Sequence, residues 1–384
     1  MKLHLKYFLF FVVLVILLSC VSIIYTKITI QIKYDLIIEN ATFLYETTPP
    51  NIIDTTKFDK KFTSPNCSTF DIVGPFLSMH EYHSYYFTHK EFTEKYSLLH
   101  LKNTYVLSQC IFYSKNTFYI PRRACQNEFH PKFPLSVKVK NITGITISIC
   151  HAWSSKYAHM IFDVLPPLTL LPESVLTTST FLVNESFPFV FDLLGCFQIQ
   201  HSQICEIGKE TFFYCESIIT LNPHPFYQIH GTLLTQLRDH FVKLFELDKT
   251  SAFRFVVFNR QKTRMIRNFG EMYYEILIRF PQFPWEMRKP LIGFKVSALF
   301  YNEIKFLLGP HGADFANTLF MQKNSIVCEM QADLFVSCYF YFSNFLGFHH
   351  VVMRIPHMGI QLLSQNLAPI PIIIEMIEKG LSYL

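Results

Sequence analysis

Apolar positions along the chain fall into three regimes. Tyr7 to Tyr25 (YFLFFVVLVILLSCVSIIY) runs without a charge for about the ~20 residues that a helix needs to cross a hydrocarbon core. Thr26 to about Leu99 is polar and irregular, with Pro49-Pro50 and Pro65, and reads as a stem. From Thr104 to Cys150 short apolar or β-branched runs (YVLSQCIFY, TFYI, SVKVKN, GITISI) are separated by Pro, Asn and Gly, which is the grammar of strands and turns.

Beyond Cys150 the period changes. Ala158 to Leu171 starts with helical spacing and ends at prolines. Phe181 to Val183 reads as a strand, Phe187 to Leu194 as a helix and Ile204 to Ile207 as a strand. His230 to Leu247 predicts an amphipathic helix with Leu233, Leu237, Phe241 and Leu244 on one face. A second alternating series follows: strand Arg254 to Phe258, helix Glu271 to Arg279, helix Phe294 to Asn302, strand Ile304 to Leu308, a helix from about Ala313, and strand Ser325 to Glu329. Such alternation predicts an α/β fold with parallel sheets. About 350 residues after the apolar run exceed one core and imply two α/β domains, 100–249 and 250–384.

Charge and cysteine usage give this order a direction. Lys2, His4 and Lys6 precede the apolar run, the bias that keeps residues 1–6 cytoplasmic, makes 7–25 an anchor and 26–99 a lumenal stem. Ser19, Cys20 and Ser22 would suit a cleaved signal peptide, but the run is longer than the usual signal core. A single-pass type II protein of the endoplasmic reticulum or Golgi is the expectation. Sequons at Asn40, Asn66, Asn141 and Asn184 agree with it, as do nine cysteines beyond the anchor. The net charge of +5 is too small and dispersed for a nucleic-acid surface. No CxxC or HExxH spacing offers a zinc site, and no GxSxG elbow a hydrolase nucleophile.

Three segments and one further residue carry candidate chemistry. Gly309-Pro310-His311-Gly312-Ala313 follows a buried strand and opens a helix, so free amides and the positive helix end meet where an anion can bind. A tight turn with a structural histidine fits the same residues equally well. Asn259 to Asn268 places Arg260, Lys262, Arg264 and Arg267 after another strand, where guanidinium groups can grip phosphate oxygens; a merely exposed basic loop is the blander account. His159 and Asp163, four apart, share a helix face and could supply a general base, or only a buried pair. Glu329 ends a strand where a carboxylate can accept from ribose hydroxyls.

Taken together, KYAHMIFDVLPPL (156–168), NRQKTRMIRNFGEM (259–272) and above all GPHGADFANTLFMQKNSIVCEM (309–330) resemble glycosyltransferase family 61, which includes plant xylosyl- and arabinosyltransferases and animal O-linked N-acetylglucosaminyltransferases. The resemblance implies a GT-B architecture, two Rossmann-like domains facing a cleft, and inverting transfer from a nucleotide-sugar, in particular a UDP-sugar, to a protein or glycan hydroxyl. Arg260, Arg264, His311, Gly312 and Ala313 would line the donor phosphates, with Asn317 and Glu329 near the nucleoside. His159 and Asp163 would face the acceptor, with Asp163 as base. Neither a metal nor another cofactor is implied, because cations and a helix end would neutralise the leaving diphosphate. Two departures stand out: Gly293 to Ser297 lacks the family's Glu-Gln pair, and Asp314 puts a carboxylate where a small neutral residue is usual. They keep a second reading open, a catalytically weakened member that binds glycan or nucleotide.

Overall fold

The computed structural model describes residues 42–45, 69–72, 98–107, 111–114, 117–120, 138–149, 154, 156–184, 187–208, 211–221, 231–261, 263–331, 338–355 and 366–384. The expected anchor at 7–25 lies outside them, as do Asn40 and Asn66. Among the described residues no helix is long and apolar enough to cross a membrane.

Among the described residues fourteen strands form two sheets. The chain enters them with β1 (Thr42–Tyr45), β2 (Thr69–Ile72), β3 (Leu98–Leu107), β4 (Ile111–Ser114) and β5 (Thr117–Ile120). They are followed by β6 (Lys138–Ser148), β7 (Thr180–Val183), β8 (Ile204–Glu206) and β9 (Thr211–Leu221). Apart from β2, these make a mixed sheet in the order β1-β5-β4-β3-β9-β6-β7-β8, a meander joined through β9 to a parallel half. The second sheet is wholly parallel. Its strands β10 (Arg254–Val257), β11 (Trp285–Met287), β12 (Ile304–Pro310), β13 (Ile326–Gln331) and β14 (His349–Arg354) run in the order β11-β10-β12-β13-β14-β2. The segment read as a stem therefore gives an edge strand to each sheet: β1 pairs with β5, and β2 with β14. Four residues apiece are too few for alternation to register.

Parallel sheets must be covered on both faces, and the alternation along the second sheet shows how. Phe255, Val257, Phe306, Leu308 and Cys328 face one layer, which includes Met272, Ile276, Ile373 and Ile377 of helices Phe269–Arg279 and Ile370–Leu381. Val256, Phe258, Leu307 and Val327 face the other way, into a core shared with Leu165, Leu168, Phe181, Leu237 and Phe241. The apolar core thus runs without interruption from one sheet's layer to the other's. Helix Gly231–Phe245 packs between them, against helix Cys338–Leu346.

The segment expected to be one helix from Ala158 to Leu171 is three. An α-helical turn Tyr157–His159 passes into a π-helical turn Met160–Val164 and a 3-10 stretch Pro166–Leu170. Pro166 and Pro167 offer no backbone N–H, so regular i→i−4 bonding cannot continue through them. Instead Leu165 N donates to Met160 O at 2.9 Å. The expected helix from Ala313 is likewise a 3-10 helix, Ala313–Phe320.

Candidate active site

Parallel register brings the carboxyl ends of four strands side by side. Val257 lies opposite Met287 and Leu308, and Leu308 opposite Cys328. The segments that follow β10, β11 and β12 therefore emerge on one edge, where α/β sheets hold ligands.

The glycine turn is packed from below and from above. A Cβ on Gly309 would lie 2.2 Å from the Phe258 ring, and one on Gly312 would lie 1.3 Å from Arg260 Nη1. The Arg260 guanidinium thus crosses the backbone of Gly312, a position only glycine leaves open. Arg260 Nε donates to Thr263 O at 2.8 Å, and Nη1 to His311 O at 3.2 Å. Arg264 Nη1 donates to the same carbonyl at 3.1 Å, from a left-handed backbone with φ of 57°. Asn259 closes this loop by accepting from the backbone N–H of Arg260 and Ile266. Burial, then the charge of Arg264, lowers the pKa of Arg260, so an anion that relieved the crowding would be welcome. Arg264 Nε is buried and meets no acceptor among the described residues. Of the other cations in the loop, Arg267 is exposed and Lys262 lies outside the described residues.

His311 turns inward. Its Nδ1 donates to Glu329 Oε1 at 2.5 Å, while His350 Nε2 donates to Glu329 Oε2 at 3.1 Å. Ser343 Oγ lies 2.7 Å from His350 Nδ1 and extends the chain. Burial pushes the Glu329 carboxyl up, but the adjoining imidazoles outweigh it and hold the pKa down to about 2. Glu329 has no exposed surface and both its oxygens are engaged. The expectation that it accepts from a ribose gives way to an interior carboxylate that fixes the tautomer and orientation of His311.

Asp314 does not stand unpaired beside these cations. Arg288, immediately after β11, reaches it with Nη1 2.9 Å from Oδ1 and lies over the Phe258 ring. Sequence reasoning missed Arg288, because the three-residue strand before it is too short to register in the apolar pattern. Asn317 accepts from Tyr157 OH at 2.6 Å, and burial raises the pKa of that phenol, so it stays a donor. Two adjoining cavities of about 380 and 420 Å³ share Arg260, Arg288, Leu291 and Asp314. Ala313 and Asn317 line the first of them, as do Tyr157, Phe189 and Asp192. Arg264, His311 and Glu329 stand behind this surface.

His159 and Asp163 are brought together, with Nδ1 and Oδ2 2.8 Å apart. The Asp163 side chain is 4% exposed and that of His159 18%. Neither lines the two cavities. Their turn is nevertheless tied to the glycine turn, because Phe162 packs edge-on against Tyr339, whose hydroxyl donates to Gly312 O at 2.6 Å.

Residues 157–328 match the family model described as Glycosyltransferase 61. The chain carries a glycosyltransferase family 61 domain. No curated protein matches it. The match makes the chain a glycosyltransferase, a class that binds a nucleotide-sugar donor and an acceptor. The family 61 segment contains the turn, the arginine loop, Arg288 and the His159–Asp163 pair; Glu329, Ser343 and His350 follow it.

Proposed function

We propose that the domain transfers a sugar from a UDP-sugar to a hydroxyl of a protein or glycan, inverting the anomeric carbon without a bound metal. The observation that carries this reading is the meeting of Arg260 and Arg288 at the rim of a cleft beside the Gly312 turn, with Arg264 behind them on the His311 carbonyl. Guanidinium groups held in a partly buried site suit a diphosphate, and they stabilise the charge that grows on it as the sugar leaves. In this reading the two sheets are the halves of a GT-B enzyme, 100–249 on the acceptor side and 250–384 on the donor side. Residues 7–25 anchor it as a type II protein of the endoplasmic reticulum or Golgi, with the domain lumenal.

The base is assigned to the His159–Asp163 pair. Asp163 is nearly buried and engages His159 Nδ1. A carboxylate in that position orients the ring, and His159 Nε2 then takes the proton from the acceptor hydroxyl. This exchanges the roles expected from the sequence, where Asp163 was the base. The charge argument for a weakened member, a carboxylate at the diphosphate, loses its force because Arg288 pairs with Asp314.

UDP release from a panel of UDP-sugars by the purified protein, with and without EDTA, tests the reading. Turnover that survives EDTA is expected; absence of nucleotide binding by calorimetry across UDP- and GDP-sugars overturns it. Gly312→Ala supplies a sharper check, since its methyl must displace the Arg260 guanidinium. Loss of a charge-assisted bond of about 1.5–3 kcal/mol corresponds to roughly 10- to 100-fold weaker UDP binding, with thermal stability little changed.

A further inference from the structure

Asp314 is the least expected group in the cleft. An acid in the first turn of a helix often serves as a cap, but no side-chain cap bond is made at the start of Ala313–Phe320. Among the described residues Arg288 is its ionic partner, through Oδ1, and the side chain is 31% exposed. Both residues line both cavities, together with Arg260. A carboxylate beside a diphosphate would be repelled, yet one whose charge is matched by a guanidinium can persist there. Its second oxygen can then accept from a ligand in the cleft, since an ionised carboxylate accepts hydrogen bonds without donating any.

Arg260 and Arg288 line the first cavity beside Asp314 and Asp192, so cations and carboxylates face a ligand together. With the guanidinium groups engaged by the diphosphate, Asp314 would oppose an anionic sugar. Building on the donor reading above, we propose that Arg288 and Asp314 form a sugar-reading pair. Arg288 neutralises and orients the carboxylate, which accepts from the hydroxyls of an uncharged donor sugar and rejects a uronic acid. Asp314 is thus a specificity residue and Arg288 its positioning partner.

Calorimetry on the full chain with UDP, UDP-glucose, UDP-N-acetylglucosamine, UDP-xylose and UDP-glucuronate tests the pair. The wild type should bind at least one neutral UDP-sugar about tenfold or more tighter than UDP-glucuronate, the scale set by one charge-assisted contact. Asp314→Asn should bind UDP as well as the wild type or several-fold better, and lose most of that discrimination. Arg288→Met should weaken UDP about tenfold or more by baring the carboxylate, and adding Asp314→Asn should recover most of the loss. An Asp314→Asn variant that keeps the wild-type discrimination overturns the pair while leaving the donor reading intact, and so does a double variant as weak as Arg288→Met. A wild type that binds no UDP overturns the donor reading and the pair together.

Discussion

Glu329→Ala should cost about 3–5 kcal/mol of stability, the scale for breaking a buried charge pair from one side. The substitution strands two imidazoles that now donate to one carboxylate and opens a void in a region with no water access. Urea unfolding followed by tryptophan fluorescence measures it, and a loss under 1 kcal/mol would show that the network contributes little. Acid provides an independent reading. The folded-state pKa of Glu329, about 2, lies below its ordinary 4.5. Its contribution is therefore complete above pH 4.5 and is lost as the pH falls toward 2. Glu329→Gln, which keeps the shape, should start less stable and decline less across that window.

Removing both Arg260 and Arg264 should reduce UDP affinity by roughly 100-fold or more, taking about 1.5–3 kcal/mol for each charge-assisted contact. Both guanidinium groups bond to the same His311 carbonyl, so the single losses are not expected to sum to the double loss. Arg264→Gly is the better single variant. Its backbone sits at φ 57°, where alanine is strained and glycine is not. Calorimetric titration with UDP at two salt concentrations distinguishes loss of charge from loss of fold; unchanged affinity in Arg264→Gly would remove it from the phosphate site.

Much of this arrangement was legible where the period of apolar residues was long enough to count. Helix Phe294–Asn302 begins and ends where its spacing says, and strands β10, β12 and β13 fall within two residues of expectation. The turn and its arginines stood out because each follows a buried strand. Elements governed by distant partners were silent. Trp285–Met287 is a strand because β10 pairs with it, and the cation after it, Arg288, acquires its meaning from Asp314 across two strands. The inward turn of Glu329 was equally hidden. Neighbours on its strand are apolar, and the imidazole of His350 reaches it as a diagonal neighbour on β14.

Strand β2 sets an order of events for the growing chain. His349 pairs with Thr69, so two residues 280 positions apart (349 minus 69) must meet before the second sheet has its last edge. On the ribosome β2 is made well before β14. Until β14 follows, β2 lacks its ladder partner in this sheet, and an unpaired strand invites pairing with another chain. The second sheet can therefore be completed only once β14 has been made, and its early segment must be kept unspent for that step.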